Sequence, residues 1–109
     1  MGDAQAQMPF DPNLLQAARL LAKLSLDELA ERSQVSRRSL LNLEAGNPDC
    51  LLSTLEILKE VLEEEGVIFL GETESHGPGV RVSRETGMDW TRKRADQRRS
   101  RMNQAEPET

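Results

Sequence analysis

Arg37, Arg38 and Asn42 are the residues of this chain best suited to chemistry, and that chemistry is recognition rather than bond making. Two guanidinium forks and an amide form a compact set of directed hydrogen-bonding groups. Ser36 and Ser39 add hydroxyls beside them. Residues that could make or break bonds are sparse. His76 is the single histidine and sits in a Gly-rich stretch with no paired cysteine nearby, so no metal site is expected. Cys50 is the single cysteine and reads as a small apolar filler in a reducing compartment. There is no phosphate-cradling Gly-Lys-Ser loop and no nucleophile–base pattern. The carboxylates of Glu60–Glu65 lie along a solvated helix rather than in a cleft. The chain therefore reads as a non-enzyme, with no cofactor evident.

The elements that must hold those donors follow from caps and apolar spacing. Asp11-Pro12 reads as a helix start, the acid capping and the proline fitting the first helical position. Leu14, Ala18 and Leu21, with Leu15 and Ala22 beside them, predict a first helix from Pro12 to about Lys23. Ser25 and Glu28 form a capping box that opens a second helix, Leu26 to about Arg32, with Leu29 and Ala30 inward. Ser33-Gln34-Val35 is a tight connection. Ser36 caps a third helix with Leu40 and Leu43 inward, stopped by Gly46 and then by Asn47-Pro48-Asp49. Ser53 and Glu56 suggest another capping box, opening a fourth helix whose inward residues are Leu55, Leu58 and Leu62, with Leu51 and Val61 beside them. Three glutamates at its end, Glu63 to Glu65, oppose the helix dipole and call for solvent or a basic neighbour.

Beyond Gly66 the pattern changes. Val67–Leu70 and Val80–Val82 read as a β-hairpin with a long loop. Both faces of the first strand are apolar, so one face is expected on the helices and the other against a second subunit. Residues 84–109 lack an apolar face; a polar helix capped by Asp89, with an Arg92–Asp96 pair, could run to about Met102. The expected organisation is a disordered start at 1–10, a helical domain at 11–66, a hairpin and dimerisation element at 67–83, and a flexible or weakly helical basic tail at 84–109.

Charge is divided unevenly. Residues 1–83 carry seven Lys/Arg against fourteen Asp/Glu, whereas Trp90 to Arg101 holds six basic residues and one acid. No apolar run approaches the roughly 18 residues of a membrane span. Met1–Phe10 has neither a basic start nor an apolar run, so it does not read as a signal peptide, and a cytoplasmic location is expected.

Two short helices joined by a three- or four-residue turn, with Leu29, Ala30, Val35, Leu40 and Leu43 inward, are the pattern of a DNA-reading unit. Residues 25–46 resemble the phage-repressor/Cro-type (XRE) helix-turn-helix: Leu29-Ala30, Val35-Ser36, Leu40, Leu43-Glu44 and Gly46 fall where that family has them. The similarity extends over about residues 14–83, and the hairpin resembles that of a small-repressor subgroup. Leu26 and Gln34 depart from the family, which usually has Gln and Gly there. The resemblance implies a mainly α fold, a compact four- to five-helix lambda-repressor-like domain followed by a short hairpin and a flexible basic tail.

It also implies roles. Residues 36–45 would be the recognition helix in the major groove, with Arg37, Arg38 and Asn42 facing bases, since Arg pairs with guanine and Asn with adenine. Ser36 and Ser39 would reach phosphates, with Arg19, Arg32 and the backbone near Ala45 as further phosphate contacts. Arg19 and Arg32 have an alternative, pairing with acids such as Asp27, Glu28 or Glu31. Glu44 is expected to bond within the domain. The implied function is a transcriptional regulator, a repressor, acting as a homodimer on a palindromic duplex operator, with no membrane and no small-molecule partner. The alternative is a protein-interaction module on the same fold, which the acidic body suits.

Overall fold

Caps set the starts of the helices. The computed structural model describes residues 8–46 and 52–105, with side chains as far as Arg101. The expected disorder at 1–7, the Asn47-Pro48-Asp49 stop, the settings of Cys50 and Leu51 and the end of the tail lie outside the described residues. Asp11 accepts a hydrogen bond from the Asn13 N–H and opens a short 3-10 turn, Pro12–Leu14, that runs into α1, Leu15–Leu21. The helix stops earlier than the apolar spacing suggests, because Lys23 adopts a left-handed φ of 62°. Ser25 and Glu28 form the expected capping box of α2, Leu26–Ser33. The hydrogen bond that the Ser25 backbone N–H donates to its carboxylate, helped by the Ser25 hydroxyl, holds Glu28 below its ordinary pKa range. Ser36 caps α3, Arg37–Glu44, by accepting from the Ser39 N–H.

The α2–α3 turn is built from one residue in an unusual conformation and one buried hydroxyl. Gln34 sits at φ 62°, the left-handed region that costs a non-glycine residue roughly 1–2 kcal/mol. Its side-chain amide donates to the Glu31 carbonyl at 2.7 Å, an offsetting local bond. Ser33 is buried; its hydroxyl donates to the Leu29 carbonyl at 2.6 Å and accepts from the Val35 N–H at 3.2 Å.

α4, Leu52–Glu64, lays Leu55, Leu58, Val61 and Leu62 on the core. It begins one residue before Ser53, so Ser53 lies inside the first turn and the expected Ser53–Glu56 box does not form. β1, Val67–Leu70, and β2, Gly79–Val82, pair antiparallel with Val67 opposite Val82 and Phe69 opposite Val80. The hairpin packs on α1 and α4, and the core joins Leu15, Ala18, Leu29, Leu40, Leu43 and the α4 stripe to Val67. Phe10 is buried and stacks on Phe69 with ring centroids 4.6 Å apart. Residues 8–10 thus close the sheet-side end of the core instead of belonging to a disordered start.

α5, Arg84–Ala105, begins five residues before Asp89, which the sequence suggested as its cap. Ser83 takes that role, accepting from the Thr86 N–H. Gly66, at φ 94°, leaves the space against which Thr86 packs; a Cβ there would collide with the Thr86 hydroxyl. Asp89 instead pairs with Lys93 at 3.3 Å, and the expected Arg92–Asp96 pair is not among the ion pairs of the described residues. No helix of the described residues is long and apolar enough to cross a membrane.

Candidate nucleic-acid interface

α3 is held by one side and open on the other. Leu40 and Leu43 are buried in the core. Glu44, on the same side, receives Arg19 of α1 in a two-pronged pair, Nε to Oε2 at 2.8 Å and Nη2 to Oε1 at 3.2 Å. Both side chains are largely but not fully buried, at 11% and 7% exposure. The remaining fork nitrogen of Arg19 donates to the Leu24 carbonyl at 3.0 Å, so this one guanidinium ties α1, the α1–α2 turn and α3 together.

Turned away from those anchors, Arg37, Arg38, Ser39, Leu41 and Asn42 are all exposed. Arg38 and Asn42, four residues apart, stand one above the other, and Arg37 and Leu41 form the adjacent row. The helix therefore presents two guanidiniums, an amide and an apolar side chain on one surface. The Ser36 hydroxyl is spent on its cap and on a 2.9 Å bond donated to Ser39 Oγ. Ser39 keeps its own hydroxyl proton free to donate outward.

Three of the proposed backbone contacts are engaged within the domain. Arg19 has all of its inward-facing donors satisfied, as described above. The Ala45 N–H donates to the Leu41 carbonyl at 2.9 Å, closing the last turn of α3, and is not free for a phosphate. Arg32 bonds Glu65 at 2.7 Å and Glu64 at 3.2 Å, linking α2 to the end of α4. Its side chain is one-third exposed. Both arginines pair with acids, but with Glu44, Glu64 and Glu65, not with the nearby Asp27, Glu28 or Glu31 that the sequence suggested. Arg32 is also the basic neighbour that the glutamates at the end of α4 called for.

One pairing went unnoticed in the sequence. Asp27, in the first turn of α2, lies 3.5 Å from Arg37 Nε. The pair is widely exposed, so it is worth about 0–1 kcal/mol and readily exchanged for another partner. The signal for it was the juxtaposed starts of α2 and α3, which appears only when the helices cross.

Among the described residues no group of three His, Cys, Asp or Glu side chains is placed to hold a metal ion. No curated protein matches the chain. A family model described as helix-turn-helix matches residues 15–65, the span from the start of α1 to the end of α4. That family comprises DNA-binding transcription regulators. Over residues 15–65 the chain is similar to the Cro/C1-type (XRE) helix-turn-helix family.

Proposed function

We propose that the protein is a sequence-specific transcriptional repressor in which α3 enters the major groove and reads bases with Arg37, Arg38 and Asn42. The observation that carries this reading is the division of α3 into a locked side, Leu40, Leu43 and Glu44, and an exposed side bearing all three polar readers. Arginine forks guanine O6 and N7, asparagine pairs with the N6 and N7 of adenine, and exposed Leu41 suits a thymine methyl. Ser39 and the first N–H groups of α3 would meet phosphates. Arg32 can trade its exposed acids for a phosphate. Arg19 and Ala45 would act by holding α3 in place. Repression would be occlusion of a promoter in the cytoplasm, without bond making.

Selection of bound duplexes from a random pool tests this. Enrichment of a palindrome is expected. Arg37→Ala, Arg38→Ala and Asn42→Ala should each weaken binding to the selected site by about 1–3 kcal/mol and relax preference at one base position. Absence of any enriched sequence, with the three variants binding like the parent, would instead favour a protein-interaction module.

Homodimerisation belongs to the same reading. Ile68 and Leu70 point away from the core and are 41% and 39% exposed, an uncovered apolar strip on β1. A two-fold contact through the hairpin would set two α3 helices about 34 Å apart, one duplex turn. Sedimentation should show a dimer at high micromolar concentration that Ile68→Asp/Leu70→Asp returns to monomer. A parent chain that stays monomeric with and without DNA would exclude it.

A further inference from the structure

We propose that the exposed stretch of α5 from Arg92 to Arg101 is a second contact element for duplex DNA, gripping phosphates beside the site that α3 occupies. This rests on the reading of α3 given above. Among the described residues, α5 is fastened to the body only near its start. Ser83 caps it, Thr86 fills the space above Gly66, and Trp90 lies under Lys23 Nζ at 4.6 Å from the ring centroid. From Thr91 to Arg101 every residue is exposed. A helix that is polar on all sides contributes nothing to a core, so its composition answers to something outside the fold.

That composition is cationic. Arg92, Lys93, Arg94, Arg98, Arg99 and Arg101 face a single acid, Asp96, within the stretch. Among the described residues, only Lys93 of the six is in an ion pair. At 1.5 Å per residue the stretch spans roughly 15 Å, along which a duplex presents one negative charge per roughly 1.7 Å. Arginine forks match phosphate oxygens in pairs. The body needs such help: residues 1–83 carry twice as many acids as bases, and α3 offers only two arginines to a polyanion.

Position agrees with charge. Lys23, which holds Trp90, stands two residues before Ser25, the cap of α2, and the first turn of α2 holds Asp27 against Arg37. The fastened end of α5 therefore lies beside the turn that leads into the helix-turn-helix. The acidic face of α4 on a second copy is a poorer match. There Glu63 is paired with Lys59, and Glu64 and Glu65 with Arg32, leaving Glu56 and Glu60 for six cations.

The test is the salt dependence of binding of the full chain to a labelled mixed-sequence duplex. Each phosphate neutralised contributes about 0.9 to the slope of log affinity against log salt. The variant Arg92→Gln/Lys93→Gln/Arg94→Gln/Arg98→Gln/Arg99→Gln/Arg101→Gln should lose about 3–5 units of slope and at least tenfold in low-salt affinity. Glutamine keeps helix propensity, and a companion variant with lysine at the five arginines keeps the charge and should keep the slope. An unchanged slope and affinity in the glutamine variant would overturn the proposal, and if Arg37→Ala/Arg38→Ala still weakened binding, the α3 reading would survive it. A parent chain that binds no duplex would overturn both. Loss of salt-sensitive self-association alone, with DNA binding intact, would assign α5 to a second copy and overturn the proposal as well.

Discussion

Glu44→Ala is expected to lower the unfolding free energy by about 3–5 kcal/mol, a large share of the stability of a domain this size. The substitution removes one partner of a largely buried pair and strands the Arg19 guanidinium, at 11% exposure, with only the Leu24 carbonyl to satisfy it. Stranding a buried charge is the costly step, not the loss of attraction. Two companion variants separate the causes. Arg19→Met/Glu44→Leu removes both charges and should recover most of the loss, because apolar replacements of a buried pair are often neutral. Arg32→Ala removes the more exposed bonds to Glu64 and Glu65 and should cost at most about 1 kcal/mol. Urea unfolding of the three variants checks this, and a Glu44→Ala loss no larger than that of Arg32→Ala would mean the Arg19 pair does not anchor α3. Because Glu44 holds the inner side of α3, DNA affinity should fall with it even under conditions where the variant is folded.

Leu40→Ala and Leu41→Ala should part company despite being neighbours. Leu40 is fully buried and joins α3 to the core, so truncation should cost about 2–5 kcal/mol through lost burial and a residual cavity. Leu41 is 46% exposed on the opposite side, and its truncation should change stability by no more than about 0.5 kcal/mol. On the proposed function, Leu41→Ala should weaken duplex binding without changing the unfolding midpoint, while Leu40→Ala should do the reverse once corrected for the unfolded fraction. Equal destabilisation by both would mean that α3 is rotated from the orientation described, and the exposed set Arg37, Arg38 and Asn42 would rotate with it. Thermal unfolding alone decides the first half of this comparison.

Much of this architecture is legible in the chain because its causes are local. The Asp11, Ser25–Glu28 and Ser36 caps each join atoms within three residues, so spacing alone announces them. The outward direction of Arg37, Arg38 and Asn42 follows from Leu40 and Leu43, three residues apart on one side of the same short helix, being its inward pair. Even the departure at Gln34 was visible, since the turn demands a left-handed residue and the structure places it there at φ 62°. Local reasoning also has its limit: Ser53 and Glu56 have capping-box spacing, but α4 starts one residue earlier and the box never forms. At Ser83 the converse happened, a cap whose partner Thr86 lacks the acid that usually signals one.

The long-range pairings are of another kind. Arg19 and Glu44 are 25 residues apart, Arg32 lies 32 and 33 residues from its two acids, and Phe10 meets Phe69 across nearly the whole domain. Arg32 had Asp27, Glu28 and Glu31 within two turns of sequence, Arg19 had Asp11 and Asp27 eight residues away on either side, and composition could not choose among them. The choice came from helix crossing, because a side chain can reach only what packing brings within a few ångströms. Burial then made one of those pairings expensive to break and left the Asp27–Arg37 pair cheap. Cap and periodicity thus write the helices and their faces into the sequence, while which charges are locked inside the domain and which stay available to a partner depends on how those helices are stacked.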